Sequence, residues 1–135
     1  MSKSDLSDLS RINLTDNKDE IVNKIKKAKT DQFPLPSEMR ELEKRPEAKN
    51  LIGIYSSLMN YKVEKTIEKF SGKNFSEFKN DLSQLLIDKI DPISVEIKKL
   101  LDDKKYLDDI LYKGHQKAND IASNKLKEIH KIVGF

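Results

Sequence analysis

The side chains able to do chemistry are few and widely spread. His115 and His130 are the two histidines, and there is no cysteine. Thiolate nucleophiles, cysteine-based zinc sites and disulfides are therefore excluded together. Each histidine falls near the end of a helical stretch, where a surface or satisfied-core role fits better than ligation. The carboxylate pairs Asp102-Asp103 and Asp108-Asp109 read as caps and solvated faces rather than an acid/base dyad. The four glycines stand too far apart for a phosphate-cradling loop, and no residue set points to a metal. Two groups remain. Lys24, Lys26, Lys27 and Lys29 crowd the end of a short helix, where they complement its negative pole and are equally suited to touching phosphates. The other is the very start, Met1-Ser2-Lys3-Ser4, small or common residues that specify little by themselves.

The elements that must position these groups are helical. Hydrophobic residues make up 36% and charged residues 36% of 135 residues, enough for one domain built from narrow apolar stripes with solvated faces. Four glycines and four prolines are sparse punctuation for a β-rich fold. Residues 1–16 read as a loop. Asp16 is a plausible N-cap for a helix with Ile21, Ile25 and Ala28 on one face. Residues 30–46 form a second loop, with Pro34 and Pro36 inside it and Pro46 placed to start the next helix. That helix, running to about Met59, is apolar nearly all round and is the candidate for the central buried element. A shorter helix covers about Lys62 to Phe70, with Gly72 as its C-cap. Asn74 and Glu77 have the spacing of a capping box. The stripe from Leu82 to Leu101 keeps register across Pro92, where a bend or break is expected. Asp103 caps a helix ended by Gly114, and a last stripe from Ala118 to Val133 ends at Gly134. The fold class expected is thus all-α, a bundle of about six or seven helices preceded by an N-terminal loop.

No apolar run approaches the roughly 20 residues of a membrane span, and the first residues lack the apolar core of a signal peptide. A cytoplasmic chain without membrane contact is expected. The net charge is +3, with three arginines against 23 lysines. Lysine suits diffuse phosphate contacts. Its abundance beside many isoleucines and asparagines also follows from an A/T-rich coding sequence, and net charge alone does not establish nucleic-acid binding.

Met1-Ser2-Lys3-Ser4 reproduces four of the five letters of the Lys-Met-Ser-Lys-Ser signature of class I aminoacyl-tRNA synthetases, and Asp5 continues it. The stretch Asp8-Leu9-Ser10-Arg11-Ile12-Asn13-Leu14-Thr15-Asp16 resembles the segment after that signature in tryptophanyl-tRNA synthetases of the bacterial and organellar type. Further matches follow in the family's order: Lys24 to Asp31, Arg45 to Tyr55, Gly72 to Lys79, and the terminal Ile132-Val133-Gly134-Phe135. The resemblance covers essentially the whole chain. Two departures stand out. The signature's first lysine would precede Met1, and Leu6 stands where the family commonly has proline.

The resemblance implies the following expectations. Residues 1–16 are the signature loop and its connector, and residues 17–135 the C-terminal helical, tRNA-facing domain. The whole enzyme is an ATP-dependent ligase that activates tryptophan and attaches it to tRNA(Trp). Met1, Ser2, Lys3 and Ser4 face ATP and pyrophosphate, with Lys3 the catalytic charge. ATP, with Mg2+, is substrate of the full enzyme, and none is bound by this segment alone. Lys24, Lys26, Lys27 and Lys29 are the candidate tRNA contacts. A homodimer is expected for the full enzyme. The nucleotide-binding half and the tryptophan pocket precede this segment in the family, so the chain is expected to begin inside the active-site loop, as a truncated, split or mis-started frame, and to be inactive by itself. A stand-alone helical module binding RNA or protein, or a non-functional remnant, is the alternative.

Overall fold

The computed structural model describes residues 6–134; the expectations placed on Met1, Ser2, Lys3 and Ser4 lie outside them. A 3-10 turn at Asp8–Ser10 is followed by α1 (Lys18–Lys27), α2 (Met39–Glu43), α3 (Pro46–Met59), α4 (Val63–Phe70), α5 (Phe75–Asp102) and α6 (Lys104–Val133). No strand occurs among the described residues. The all-α class is as the sequence implied.

Local chemistry accounts for most boundaries. Asn17, not Asp16, caps α1: its side-chain oxygen accepts from the Glu20 amide at 2.9 Å, and the Glu20 carboxylate accepts from the Asn17 amide at 2.7 Å. Asp16 is drawn away to the Asn13 amide and the Lys24 ammonium. Pro46 occupies the first turn of α3, where its missing N–H is no loss. Ser71 ends α4, and Gly72 follows with φ +71°, a conformation that favours glycine. The Gly72 amide donates to the Leu35 carbonyl while the Leu35 amide donates to the Lys73 carbonyl, tying two loops together. The Asn74 half of the expected box forms, its side chain accepting from the Glu77 amide at 2.8 Å; the Glu77 carboxylate turns to Lys73 instead.

Of the bend or break expected at Pro92, the break does not occur: α5 runs through the proline as one helix of 28 residues, although the ring removes one backbone bond. α6 likewise runs through Gly114: one interior glycine costs about 1 kcal/mol against alanine, too little to end a 30-residue helix. Asp103 does cap α6, accepting from the Tyr106 amide at 3.0 Å, and Gly134 does end it with φ +83°.

The chain divides after Val95 into two units. In the first, Ile21 and Ile25 of α1, Leu42 of α2, Leu51, Ile52 and Tyr55 of α3, Ile67 and Phe70 of α4, and Phe78, Leu82 and Leu86 of α5 form one buried core. Phe70 sits edge-on to both Tyr55 and Phe78, with ring centroids 5.0 and 4.9 Å apart, the arrangement that aromatic quadrupoles prefer. The Ser56 hydroxyl, buried beside them, lies 2.8 Å from the Ile52 carbonyl and 2.7 Å from Thr66 Oγ1. The second unit buries none of its described residues. Ile110 and Leu111 of α6, and Ile121, Leu126 and Ile129 on its last apolar stripe, are exposed. No described helix is long and apolar enough to cross a membrane.

Candidate functional site

The segment following Met1–Ser4 is built from polar contacts. Ser7 caps the 3-10 turn by accepting from the Leu9 amide, and the Ser10 hydroxyl returns to the Ser7 carbonyl at 2.8 Å. Arg11 reaches Asp8 at 3.2 Å. The Asn13 side-chain amide donates to Asp8 at 3.1 Å and to Asp16 at 3.2 Å, and its backbone amide donates to Asp16 at 2.8 Å. At the centre lies Lys24 of α1. Its ammonium is 2.7 Å from an Asp8 oxygen and 2.7 Å from an Asp16 oxygen.

This is a correction to the sequence reading, which grouped Lys24 with the phosphate-facing lysines. The Lys24 side chain is only 5% exposed and Asp16 only 6%, so neither is presented to a ligand. Burial by itself would depress the ammonium; the hydrogen bonds to Asp16 and then Asp8 outweigh it and hold Lys24 above its ordinary range. Asp8 is held below the usual carboxylate range by its hydrogen bond to Lys24 and, next, by Asn13. Sequence pattern offered a signal for this. Ile21, Lys24, Ile25 and Ala28 share the i, i+3, i+4, i+7 spacing of one face, and that face is the buried one.

Lys26, Lys27 and Lys29 remain exposed at the end of α1. Lys29 meets Glu47 at 3.3 Å, but its side chain is 87% exposed, so the pair holds it weakly. A fourth lysine joins them unannounced. Lys79 of α5 donates to the carbonyls of Ala28 at 2.6 Å and Lys26 at 3.2 Å, satisfying groups left open at the end of α1. Burial pushes its ammonium down. No local pattern signals this contact, because Lys79 lies 51 positions from Ala28. Beyond α1, Arg45 grips Asp31 through two nitrogens at 2.8 and 2.5 Å and donates to the carbonyls of Pro34 and Phe33, fixing the loop before α2. His115 and His130 lie along exposed α6, and no cluster of described His, Asp or Glu side chains could hold a metal ion.

Among the described residues, this segment is pinned by ion pairs to a helix whose end is lined with lysines. The family model of class I tRNA synthetases (W and Y) matches residues 1–89, and the chain belongs to that family. Along all 135 residues it is 47% identical to the tryptophan–tRNA ligases of Rhizobium meliloti and Agrobacterium fabrum and 45% identical to that of Rickettsia prowazekii. It covers 38%, 38% and 40% of those proteins, so it spans well under half of the length of these relatives and corresponds to their C-terminal portion.

Proposed function

We propose that this chain supplies the adenylate-side loop and the tRNA-facing helices of a tryptophan–tRNA ligase, working in the cytoplasm as part of a homodimeric enzyme. The observation that carries the reading is the match to tryptophan–tRNA ligases over every residue, at 47% identity with the first relatives. In the reaction a tryptophan carboxylate oxygen bonds to the α-phosphorus of ATP, and the bond from that phosphorus to the bridging oxygen breaks. Pyrophosphate departs with the electron pair. Lys3 places positive charge on the departing phosphates as negative charge grows there, an interaction that strengthens in the transition state. Met1 belongs to the same loop, and Ser2 and Ser4 shape it with short polar side chains that can contact phosphate. Mg2+ arrives with the ATP. A ribose hydroxyl of tRNA(Trp) then takes the tryptophanyl group from the adenylate, and AMP leaves as the acyl–phosphate bond breaks.

Lys26, Lys27 and Lys29 are the proposed tRNA-phosphate contacts; Lys24 is withdrawn because its ammonium is buried and doubly paired. Three phosphate contacts would give a binding constant that falls with salt at a log–log slope of about −2 to −3. Two measurements test the function. Joined in frame to the preceding part of the Rhizobium meliloti ligase, the chain should support tryptophan-dependent exchange of pyrophosphate into ATP, and Lys3→Ala should depress it; an inactive chimera counts against the reading. The 135-residue chain alone should show no exchange. Changing Lys26, Lys27 and Lys29 together to glutamine should weaken tRNA binding and flatten its salt dependence; unchanged binding would remove these lysines from the interface.

A further inference from the structure

We infer that Lys24 is a positioning residue for the loop that carries Lys3, acting through its paired carboxylates Asp8 and Asp16. The inference rests on the ligase reading above and adds a part to it.

The residues before α1 are held largely by polar contacts. None of the side chains from Leu6 to Thr15 is buried: Leu6 is fully exposed, Leu9 and Leu14 are exposed, and Ile12 packs only partly against the core. The 3-10 turn likewise buries nothing. Ile12 is thus the main apolar contact of this stretch among the described residues, and the polar network holds the part before it. Within that network, the Lys24 ammonium links both Asp8 and Asp16 to a helix of the core. It is also the one lysine among the described residues that is buried.

Chain geometry turns this into a constraint on chemistry. An extended chain advances at most about 3.6 Å per residue, so five residues limit Lys3 to within about 18 Å of Asp8. With both carboxylates untied, the next fixed point is the start of α1 at Lys18, ten residues beyond Asp8, and Lys3 could then range over roughly 54 Å of contour. Holding a charge near its reacting partner is worth a large factor in rate, and small misplacements are correspondingly costly. The clamp sits where a short tether is made from a long one. It also joins the loop to α1, whose exposed lysine end faces the proposed tRNA side, so loop position and helix are mechanically one piece.

The test uses the chimera with the Rhizobium meliloti upstream part, because exchange must be measurable. Lys24→Met keeps the length of the side chain while removing the charge. It should lower kcat for exchange about tenfold to a hundredfold and leave KM for tryptophan unchanged. Asp8→Asn is the milder variant. The Asp8 side chain is 57% exposed and leaves the Lys24–Asp16 pair intact, so this protein should keep its melting temperature and still lose about threefold to tenfold in kcat. The decisive readout is the double variant. In a Lys3→Ala background neither substitution should lower the rate further, because each acts through Lys3; a merely structural role would lower it by the same factor again. Lys24→Met and Asp8→Asn proteins with unaltered kcat would overturn the inference while leaving the ligase reading intact, as would full additivity with Lys3→Ala. A chimera inactive with Lys24 in place would overturn both. Should Lys24→Met fail to fold, Asp8→Asn alone decides.

Discussion

α3 and α6 are both amphipathic helices, yet they spend their apolar residues differently. α3 buries Ala48, Leu51, Ile52 and Tyr55 in a core shared with α1, α2, α4 and α5. α6, with 30 residues and more apolar side chains than α3, buries none of them. Its order comes instead from local terms: the Asp103 cap, the Gly134 terminus and pairs such as Lys125–Glu128 at 2.8 Å. Length helps, since isolated helices become sustainable beyond roughly 15 residues. The difference separates two sources of helix stability. In the first unit tertiary burial dominates, and propensity and caps refine it; in α6 the caps and propensity are all that the described contacts supply.

The largest expected effect tests the first half of that contrast. Phe78 is fully buried and packs against Phe70 and Tyr55. Phe78→Ala should lower unfolding free energy by about 3–5 kcal/mol, the usual range for truncating a core aromatic. A urea titration of the 135-residue chain followed by tyrosine fluorescence would read the shift in midpoint, because Tyr55 lies in the same cluster. A change below about 1 kcal/mol would mean that this core is not the stabilising unit.

A smaller effect distinguishes caps inside and outside the core. Asn17→Ala removes one acceptor and frees the Glu20 arm of the box, costing about 1 kcal/mol in the same titration. Asp103→Ala removes a comparable bond from α6. Because α6 is not buried, that loss should appear as reduced helicity by circular dichroism, with the tyrosine-monitored transition unmoved. A shift of both transitions together would show the two regions unfolding as one.

Smaller still is the acid response of the Arg45–Asp31 pair. Its hydrogen bond to Arg45 holds the Asp31 carboxyl below the usual range in the folded protein. A carboxylate with a depressed folded-state pKa stabilises fully above its unfolded value near 3.9, and that contribution disappears as pH falls through the folded value. Asp31→Asn should therefore destabilise at pH 6 by well under about 1 kcal/mol, since the pair is partly solvated. As pH falls below the ordinary carboxylate range and through the lowered folded value, the two proteins should converge. Parallel pH profiles would mean that the pair contributes nothing to folding.

What was readable from sequence was mostly what is decided locally. Pro46 at the start of α3, Asp103 before α6 and Gly134 after it each act within one turn, and each is found where residue type demands. The cap of α1 was misplaced by one residue because Asp16 and Asn17 are both good caps. The choice was made by Asn13 and by Lys24, eight positions away. Lys24 itself looks like its neighbours in a list of charges and differs only by which way its helix turns it. Lys79 was invisible, since nothing in a linear pattern announces an amine that closes a helix end 51 residues earlier. The residues of the signature were singled out only through family resemblance, because a lysine between two serines sets no period in a sequence.

The smallest expected effect bears hardest on α6. Ile121 is 65% exposed on that helix, although the sequence stripe marks it as a core position. If exposure governs, Ile121→Ser should change the stability of the 135-residue chain by no more than about 0.5 kcal/mol, the range of ordinary surface substitutions. The contribution left to lose is local, a slightly poorer helix propensity for serine. A loss of 2 kcal/mol or more would instead require that the side chain be covered in solution, by the truncation arithmetic that applies to Phe78. Repeating the titration at a tenfold higher protein concentration separates two kinds of cover. A concentration-dependent midpoint would mean that copies of the chain shield α6 from water, since association stabilises by mass action. A concentration-independent loss would mean that the helix finds its cover within one chain. Only a null result at both concentrations keeps α6 as a helix that stands on its caps.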